Sequence, residues 1–435
     1  MLKIVSIFMS LVCLSSYCAA QVNVEVGNGK ILEQSVFPLP SYDQIPVQFQ
    51  TAYGREAVDR IKNSTHLELS KIKYLSDGLK IVGFIYKPKD TANKKLPAII
   101  WNRGGVGEET KISVENFQDI YEMYKYAAAG FVVLASQYRG TDGGEGRDEV
   151  GGGDTDDVLN LLPLARSLGY IDMDRIFMWG FSRGAMMTLQ ALQRGAPIKA
   201  AVVVGAPTDW TLSLQENPRL LSLVKNDWPD FETRREEHIF SRSAVRWADK
   251  LNVPLLIFQG GSDPAVSPRQ ALELAQKMDE AGNLYELIVY AKDDHFVTLN
   301  SEERLQKTID WFKNVRTIPI SQSFRKTAVE KGIAAAIEQY NNLKKTQPGR
   351  YDFSESQLNA LGYEFLFEGR PKDAIEIFKV NLNAYPQSFN VYDSLGEAYL
   401  AIGNREEAIK NYKRSVELNP QNANGIQALK KLGQP

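Results

Sequence analysis

Cysteine is almost missing from this chain: only Cys13 and Cys18 occur, both near the N-terminus. Residues 1–20 carry the marks of an export signal. Lys3 gives a positive start, Ile4 to Leu14 an apolar core, and Cys18-Ala19-Ala20 a small-residue cleavage site before Gln21. Once that segment is removed, the mature chain has no cysteine, which excludes disulfides, a thiol nucleophile and a cysteine zinc site. Lipid attachment at Cys18 is the competing reading, and the bulky Tyr17 before it argues against that. The apolar core of the segment is too short to span a bilayer, and no long apolar run follows it. The expected location is therefore periplasmic or extracellular, with no membrane span.

Charge of one sign is also lacking. The formal net charge is −2 over 435 residues, so no basic field points to nucleic acid or to an anionic membrane surface. No Walker lysine is present, and Gly143-Gly144-Glu145-Gly146 fails to complete G-x-G-x-x-G because Glu149 occupies the last glycine position. Asp154, Asp156 and Asp157 fit the start of a helix, with Asp154 as its cap, better than a metal site. No cofactor and no metal are expected. Histidine is scarce too: His66, His238 and His295 are the whole supply, so any imidazole chemistry has few candidates.

What the chain does have is a short apolar run, Ile176 to Trp179, leading into Gly180-Phe181-Ser182-Arg183-Gly184 and then a helical pattern from Ala185. Strand, G-x-S-x-G and helix in that order make a nucleophile elbow. The turn is tight and brings backbones close, which is why it needs glycines. Ser182 projects from it, and the following helix aims N–H groups at the same point.

A serine hydroxyl becomes nucleophilic when an imidazole takes its proton, and a carboxylate fixes the imidazole tautomer. On an α/β-hydrolase these groups follow the order Ser, acid, His. His66 precedes the elbow. His238 lies in the charged stretch Arg234-Arg235-Glu236-Glu237-His238 and reads as part of a solvated helix face. His295 follows the strand pattern Tyr285 to Tyr290, in a turn, where the general base belongs. Asp263 ends the strand Pro254 to Phe258 and its turn, and is the acid candidate; Asp209, after the strand Ala200 to Val204, is its rival. One oxyanion donor is expected from the backbone N–H of Arg183. The other belongs to the loop after the strand Ala98 to Trp101, Asn102-Arg103-Gly104-Gly105, whose glycines admit close approach.

Strands near 67–74, 79–86, 97–101, 131–137, 175–179, 199–204, 254–259 and 285–290 alternate with helical patterns after a leading antiparallel pair. The expectation is an α/β fold, an α/β-hydrolase with a mostly parallel central sheet. Residues 210–250 read as a helical insertion, either over the active site or as a surface excursion.

The ordered motifs Asn102-Arg103-Gly104-Gly105, Ser136-Gln137-Tyr138-Arg139-Gly140, Gly151-Gly152-Gly153-Asp154, Gly180-Phe181-Ser182-Arg183-Gly184, Arg242-Ser243-Ala244 and Asp293-Asp294-His295 resemble the catalytic domain of the prolyl oligopeptidase family of serine peptidases. The resemblance covers about Leu67 to Val315. It implies Ser182, Asp263 and His295 as the triad. It also implies a difference: members of the family place a tyrosine hydroxyl in the oxyanion hole, and the matching position here is Arg103, which points to a backbone donor. Residues 21–65 are too few for the family's β-propeller, so peptidase and esterase readings both stand.

The C-terminal third repeats itself. Leu361-Gly362 recurs at Leu395-Gly396, Gly369 at Gly403, Ala374 at Ala408, Phe378 at Tyr412 and Pro386 at Pro420, each 34 residues on. That is the tetratricopeptide period. The helical stretch 328–345 is expected to pack before the repeats and 424–432 to cap them. The domain expectation is a signal peptide at 1–20, an N-terminal extension at 21–66, a catalytic domain at 67–316 and an all-α tetratricopeptide-repeat module at 324–435, with repeats near 355–388 and 389–422. The functional expectation is an exported serine hydrolase acting on a peptide or small acyl substrate, with a protein partner or self-association through the repeats. The alternatives are a carboxylesterase on the same scaffold, or a non-catalytic interaction protein.

Overall fold

The computed structural model describes residues 27–92, 94–315, 317–347 and 350–434; the stretch 1–20 expected to be an export signal lies outside them. Nine strands form one sheet: β1 (Ile31–Val36), β2 (Leu67–Ser76), β3 (Leu79–Pro88), β4 (Leu96–Asn102), β5 (Val132–Ser136), β6 (Ile171–Phe181), β7 (Ala200–Val204), β8 (Leu255–Gly260) and β9 (Tyr285–Tyr290). Their spatial order is β1-β2-β3-β5-β4-β6-β7-β8-β9. The pairs from β1 to β5 are antiparallel and those from β5 to β9 are parallel. Strands β5 and β7 are buried along their whole length, as expected of parallel strands covered on both faces.

Alternate residues of each central strand feed two cores. Ile100, Leu134, Met178 and Val203 face one side, and Trp101, Val133, Trp179 and Val202 the other. Trp101 and Trp179 are register partners on β4 and β6, and their rings stack at 3.7 Å. The second face is covered by α1 (Val47–Lys62), α2 (Phe117–Ala128) and, later in the chain, by the helix Ser301–Lys313, whose buried Phe312 stacks on Phe177 at 4.6 Å. The first face carries α3 (Asp154–Leu159), α4 (Leu161–Ser167), α5 (Arg183–Gln193) and the insertion, α6 (Trp210–Glu216), α7 (Leu220–Asp227) and α8 (Phe231–Arg242), followed by α9 (Pro268–Glu280). The helix Ser301–Lys313 is α10.

Three readings of the sequence are corrected here. Residues 27–66, within the stretch read as an N-terminal extension, are built into the catalytic domain: β1 pairs with β2, and α1 packs on α2 through Tyr53, whose ring stacks on Tyr121 at 4.0 Å. Asp154 does not cap its helix. It is the first helical residue, and its carboxylate accepts from the N–H groups of Gly151 and Gly152 (both 2.8 Å) and pairs with Arg183 at 2.7 Å. His238 is not on a solvated face. It is buried, with Nε2 2.6 Å from Pro229 O, Nδ1 3.1 Å from Arg242 Nη1, and its ring stacked on Trp228 at 5.5 Å.

The C-terminal region opens on a short parallel pair, β10 (Ile318–Pro319) and β11 (Tyr351–Asp352), and contains α11 (Ile320–Glu330), α12 (Ile333–Thr346), α13 (Glu355–Phe367), α14 (Pro371–Ala384), α15 (Phe389–Ala401), α16 (Arg405–Leu418) and α17 (Ala423–Lys431). The stretch 328–345 is thus two helices, broken at Gly332 with φ 89°. In the repeats proper, the glycines at matching positions are steric necessities. A Cβ on Gly362 would lie 2.3 Å from the Phe378 ring, and one on Gly396 2.9 Å from Tyr412. Aromatic side chains of the second helices occupy that space. The pairs α11/α12 and α13/α14 share one core with Leu395 and Ala398 of α15, so the repeats do not rely on their own helices alone.

Candidate active site

Strand β6 ends at Phe181, and α5 begins at Arg183, so Ser182 alone makes the turn. Its φ of 51° and ψ of −119° lie where few non-glycine residues are found. The turn fits because its neighbours lack side chains. A Cβ on Gly184 would sit 2.0 Å from Asn102 O, and one on Gly180 2.4 Å from Gly184 O. The N–H of Ser182 donates to Val204 O at 2.9 Å, which ties the elbow to β7.

The loops after β8 and β9 bring the other two candidates together. His295 Nδ1 lies 2.7 Å from Asp263 Oδ2, and the Asp263 side chain is fully buried. The second carboxylate oxygen accepts from the N–H groups of Ala265 (2.8 Å) and Val266 (2.9 Å). Burial pulls the Asp263 carboxyl up, but the His295 hydrogen bond and these N–H groups outweigh it and leave the group below its ordinary 3.8. Gly205, after β7, has φ 56°, and a Cβ there would come within 2.8 Å of His295 Nδ1, so its missing side chain makes room for the imidazole. The ring of Phe181 packs on the imidazole at 4.8 Å. Among the described residues Ser182 Oγ has no hydrogen bond to His295; such contacts are often long before substrate binds. Asp209 is engaged elsewhere: it caps α6, accepting from the N–H groups of Thr211 and Leu212. His66 is exposed, with its ring Nδ1 3.3 Å from Thr65 Oγ1.

The loop after β4 is held from below. The buried Arg103 guanidinium donates to the carbonyls of Gly104 (3.1 Å), Thr110 (3.3 Å) and Gln137 (2.7 Å), so this side chain is committed to the loop and does not reach out to substrate. A Cβ on Gly104 would lie 2.7 Å from the Phe181 ring. The side chain of Arg183 clamps the elbow to two other segments. It donates to Gly105 O (3.2 Å), Asp148 (2.5 and 2.7 Å) and Asp154 (2.7 Å), and lies over the Tyr138 ring at 4.6 Å. Among the described residues, no acceptor meets the backbone N–H of Arg183 or of Gly104.

Beside the elbow is a cavity of about 210 Å³, lined by Gly104, Gly105, Phe181, Phe296, Asp119 and Phe49 among others. Sequence reasoning missed Asp119 and Phe49. Neither belongs to a motif, and Phe49 lies in the stretch read as an extension. Insertion residues line neither this cavity nor the adjoining one of about 320 Å³. Arg242 of the insertion instead donates to Val150 O at 2.7 Å, on the α5 side of the sheet.

Residues 116–317 match the model of the prolyl oligopeptidase family, and residues 389–422 that of the tetratricopeptide repeat. The chain carries a prolyl oligopeptidase family domain. An uncharacterized peptidase of Bacillus subtilis, YtmA, is 27% identical over 253 residues, covering 58% of this chain and 95% of that protein. A probable dipeptidyl-aminopeptidase B of Talaromyces marneffei is 27% identical over 226 residues, 49% of this chain and only 24% of that protein. Acylaminoacyl peptidase of Pyrococcus horikoshii shares the fold, with a TM-score of 0.51 and 21% identity over 58% of this chain and 42% of that one. The chain thus spans less than half the length of those two larger proteins. The α/β-hydrolase architecture and the family resemblance read from the motifs both hold, and the prolyl oligopeptidase domain makes the chain a serine hydrolase. No helix among the described residues is long and apolar enough to cross a membrane, and none of their acidic, histidine or cysteine side chains cluster as a metal site.

Proposed function

We propose that this protein is an exported serine peptidase that cleaves short peptides through an acyl-enzyme formed on Ser182. The observation that carries the mechanism is the 2.7 Å contact of His295 Nδ1 with a buried Asp263, at the strand ends that also hold the strained Ser182 turn. In this reading Asp263 keeps the proton on Nδ1, so Nε2 is free to take the Ser182 proton as Oγ attacks the carbonyl carbon. The oxyanion is received by the N–H groups of Arg183 and Gly104. The imidazolium then protonates the leaving nitrogen, the C–N bond breaks, and the acyl group stays on Oγ as an ester. His295 next deprotonates a water, which attacks that ester and releases the acid and the free serine. Export is supported by the positive start, apolar core and Cys18-Ala19-Ala20 site of residues 1–20.

Peptide rather than ester substrates are supported by the prolyl oligopeptidase match and by YtmA, which is named a peptidase. Ester cleavage is the second reading, favoured by one observation: among the described residues, those before β2 form one strand, a single 3-10 turn and one helix, and no propeller. The repeats supply a surface for a protein partner or a second copy. The test is labelling with a fluorophosphonate and mapping of the adduct, followed by rates on p-nitrophenyl esters beside aminoacyl and prolyl p-nitroanilides. Labelling at Ser182 that is lost in Ser182→Ala, with a kcat loss on the order of 10⁶, is expected. A Ser182→Ala protein that turns over the best substrate near the wild-type rate would end this reading.

A further inference from the structure

We propose that Asp119, facing the cavity beside the elbow, selects a basic residue on the leaving-group side of the scissile bond. The proposal rests on the triad reading above, because it is the imidazole that protonates the leaving group, and the leaving chain therefore departs on the His295 side. Phe181, packed on that imidazole at 4.8 Å, and Phe296, next to it in sequence, both line the cavity of about 210 Å³. The glycines of the loop after β4 form another wall.

Three features of this cavity specify the chemistry of its occupant. Three aromatic rings line it, Phe181, Phe296 and, from the N-terminal helix α1, Phe49, beside the polar side chains of Thr110, Asn116 and Gln118. Such walls suit an alkyl stem and a cationic head. Its one ionisable group is Asp119. Oδ1 of that residue accepts from Trp101 Nε1 at 2.9 Å, and Oδ2 has no partner among the described residues. Among the described residues no cation forms a salt bridge to it; the nearby Arg103 directs its Nη groups to the carbonyls of Gly104, Thr110 and Gln137. Burial accordingly holds the Asp119 carboxyl up to about 6, more than the Trp101 bond and the charge of Arg103 lower it. A carboxylate in the first turn of α2 also suits the helix dipole, but a solvated one would do that equally well. An incoming ammonium or guanidinium would supply the missing counter-charge. The cavity shares Phe49, Gln118 and Phe296 with the one of about 320 Å³, so a leaving chain has room to continue past its first residue.

The test uses the full chain and peptides that share one acyl portion, that of the best chromogenic substrate, and differ in the first leaving residue: lysine, its uncharged analogue norleucine, or glutamate. Wild type should favour lysine over norleucine by about tenfold or more in kcat/KM, the scale of one charged hydrogen bond, and should disfavour glutamate. In Asp119→Asn, which keeps an acceptor for Trp101, the lysine preference should fall to within about twofold. Wild type that does not distinguish lysine from norleucine would overturn the proposal, whether or not the variant folds. So would an Asp119→Asn enzyme that keeps the preference. Fluorophosphonate labelling of the wild type separates the two readings. Labelling at Ser182 without lysine preference sinks the subsite alone, and no labelling sinks the triad and the subsite together.

Discussion

The two oxygens of Asp263 face different partners, and that asymmetry decides what Asp263→Asn does. Oδ1 accepts from the backbone N–H groups of Ala265 (2.8 Å) and Val266 (2.9 Å). Oδ2 meets His295 Nδ1 at 2.7 Å and accepts from Gln259 Nε2 at 3.0 Å. An asparagine must leave its oxygen with the two backbone donors, which places its NH₂ where Oδ2 was. That group donates to Nδ1 and drives the proton to Nε2, the atom that has to accept from Ser182. The charge that stabilises the imidazolium is lost as well. A correctly placed triad in the wrong tautomer loses about 10⁴ in kcat, or about 5 kcal/mol of transition-state stabilisation. The new NH₂ also faces the Gln259 NH₂. Turning that amide would pair the buried, unpartnered Gln259 Oε1, but would take donors from the carbonyls of Gly260 and Val266. A stability loss of about 1–2 kcal/mol should therefore accompany the kinetic one. The assay is kcat/KM on the best chromogenic substrate, with thermal melts of both proteins. Asp209→Asn is the control, because an amide oxygen still caps α6, and it should stay within about threefold of wild type. An Asp263→Asn enzyme within tenfold of wild type, or an Asp209→Asn loss of equal size, would refute the argument.

The same carboxylate sets a pH dependence. The Asp263 carboxyl is lowered from 3.8 in the folded protein, so its contribution to stability is full above that value and disappears as pH falls through the lowered one; the Tm gap between wild type and Asp263→Asn should shrink below about pH 4. Gly184→Ala should fail to fold properly or lose activity outright, since its Cβ would lie 2.0 Å from Asn102 O and 2.5 Å from Arg103 O, both backbone atoms that cannot turn aside. Far-ultraviolet circular dichroism and fluorophosphonate labelling check this, and a variant with wild-type Tm and labelling would contradict it. Truncation to residues 21–322 should leave kcat on a small acyl substrate within several-fold of the full chain, because no repeat residue lines the cavities beside the elbow. It should lower Tm, because Arg350 donates to Asn252 and Asn283 of the catalytic domain and those contacts would be lost; a folded but inactive truncation would show that the repeats complete the site.

What could be read from the sequence follows from how each element is buried. The central strands announced themselves because a strand covered on both faces is a continuous apolar run, as in Ala200–Val204. β1 did not, since Leu32–Val36 lie at the sheet edge with their side chains exposed and carry no alternation to detect. The elbow was legible because its glycines answer to backbone contacts that no other residue satisfies. Asp263 and Asp209 both follow apolar strands, and pattern alone could not rank them. The signal that separates them is local: Asp209 immediately precedes a helix and is placed to cap it. His238 was misread because the charges around it describe only the outer face of α8; one face of that helix turns His238, Ile239 and Arg242 inward.

Asp119 marks a different limit. On sequence it is an acidic residue in the first turn of an amphipathic helix, the most ordinary position for one. Its meaning comes from three segments that meet around it: Trp101 at the end of β4, Phe181 at the end of β6 and Phe49 on α1. Motifs report the groups that every member of a mechanism must share, such as Ser182 and the loops around it. Substrate preference is built from residues distant in sequence that happen to enclose one cavity, and spacing along the chain does not encode that enclosure. The N-terminal segment shows this most clearly. It contributes no reacting group, yet Phe49 of α1 lines both cavities beside the elbow. The specificity of this hydrolase is therefore to be sought in α1 and α2 rather than in the insertion at 210–250, whose side chains line neither cavity.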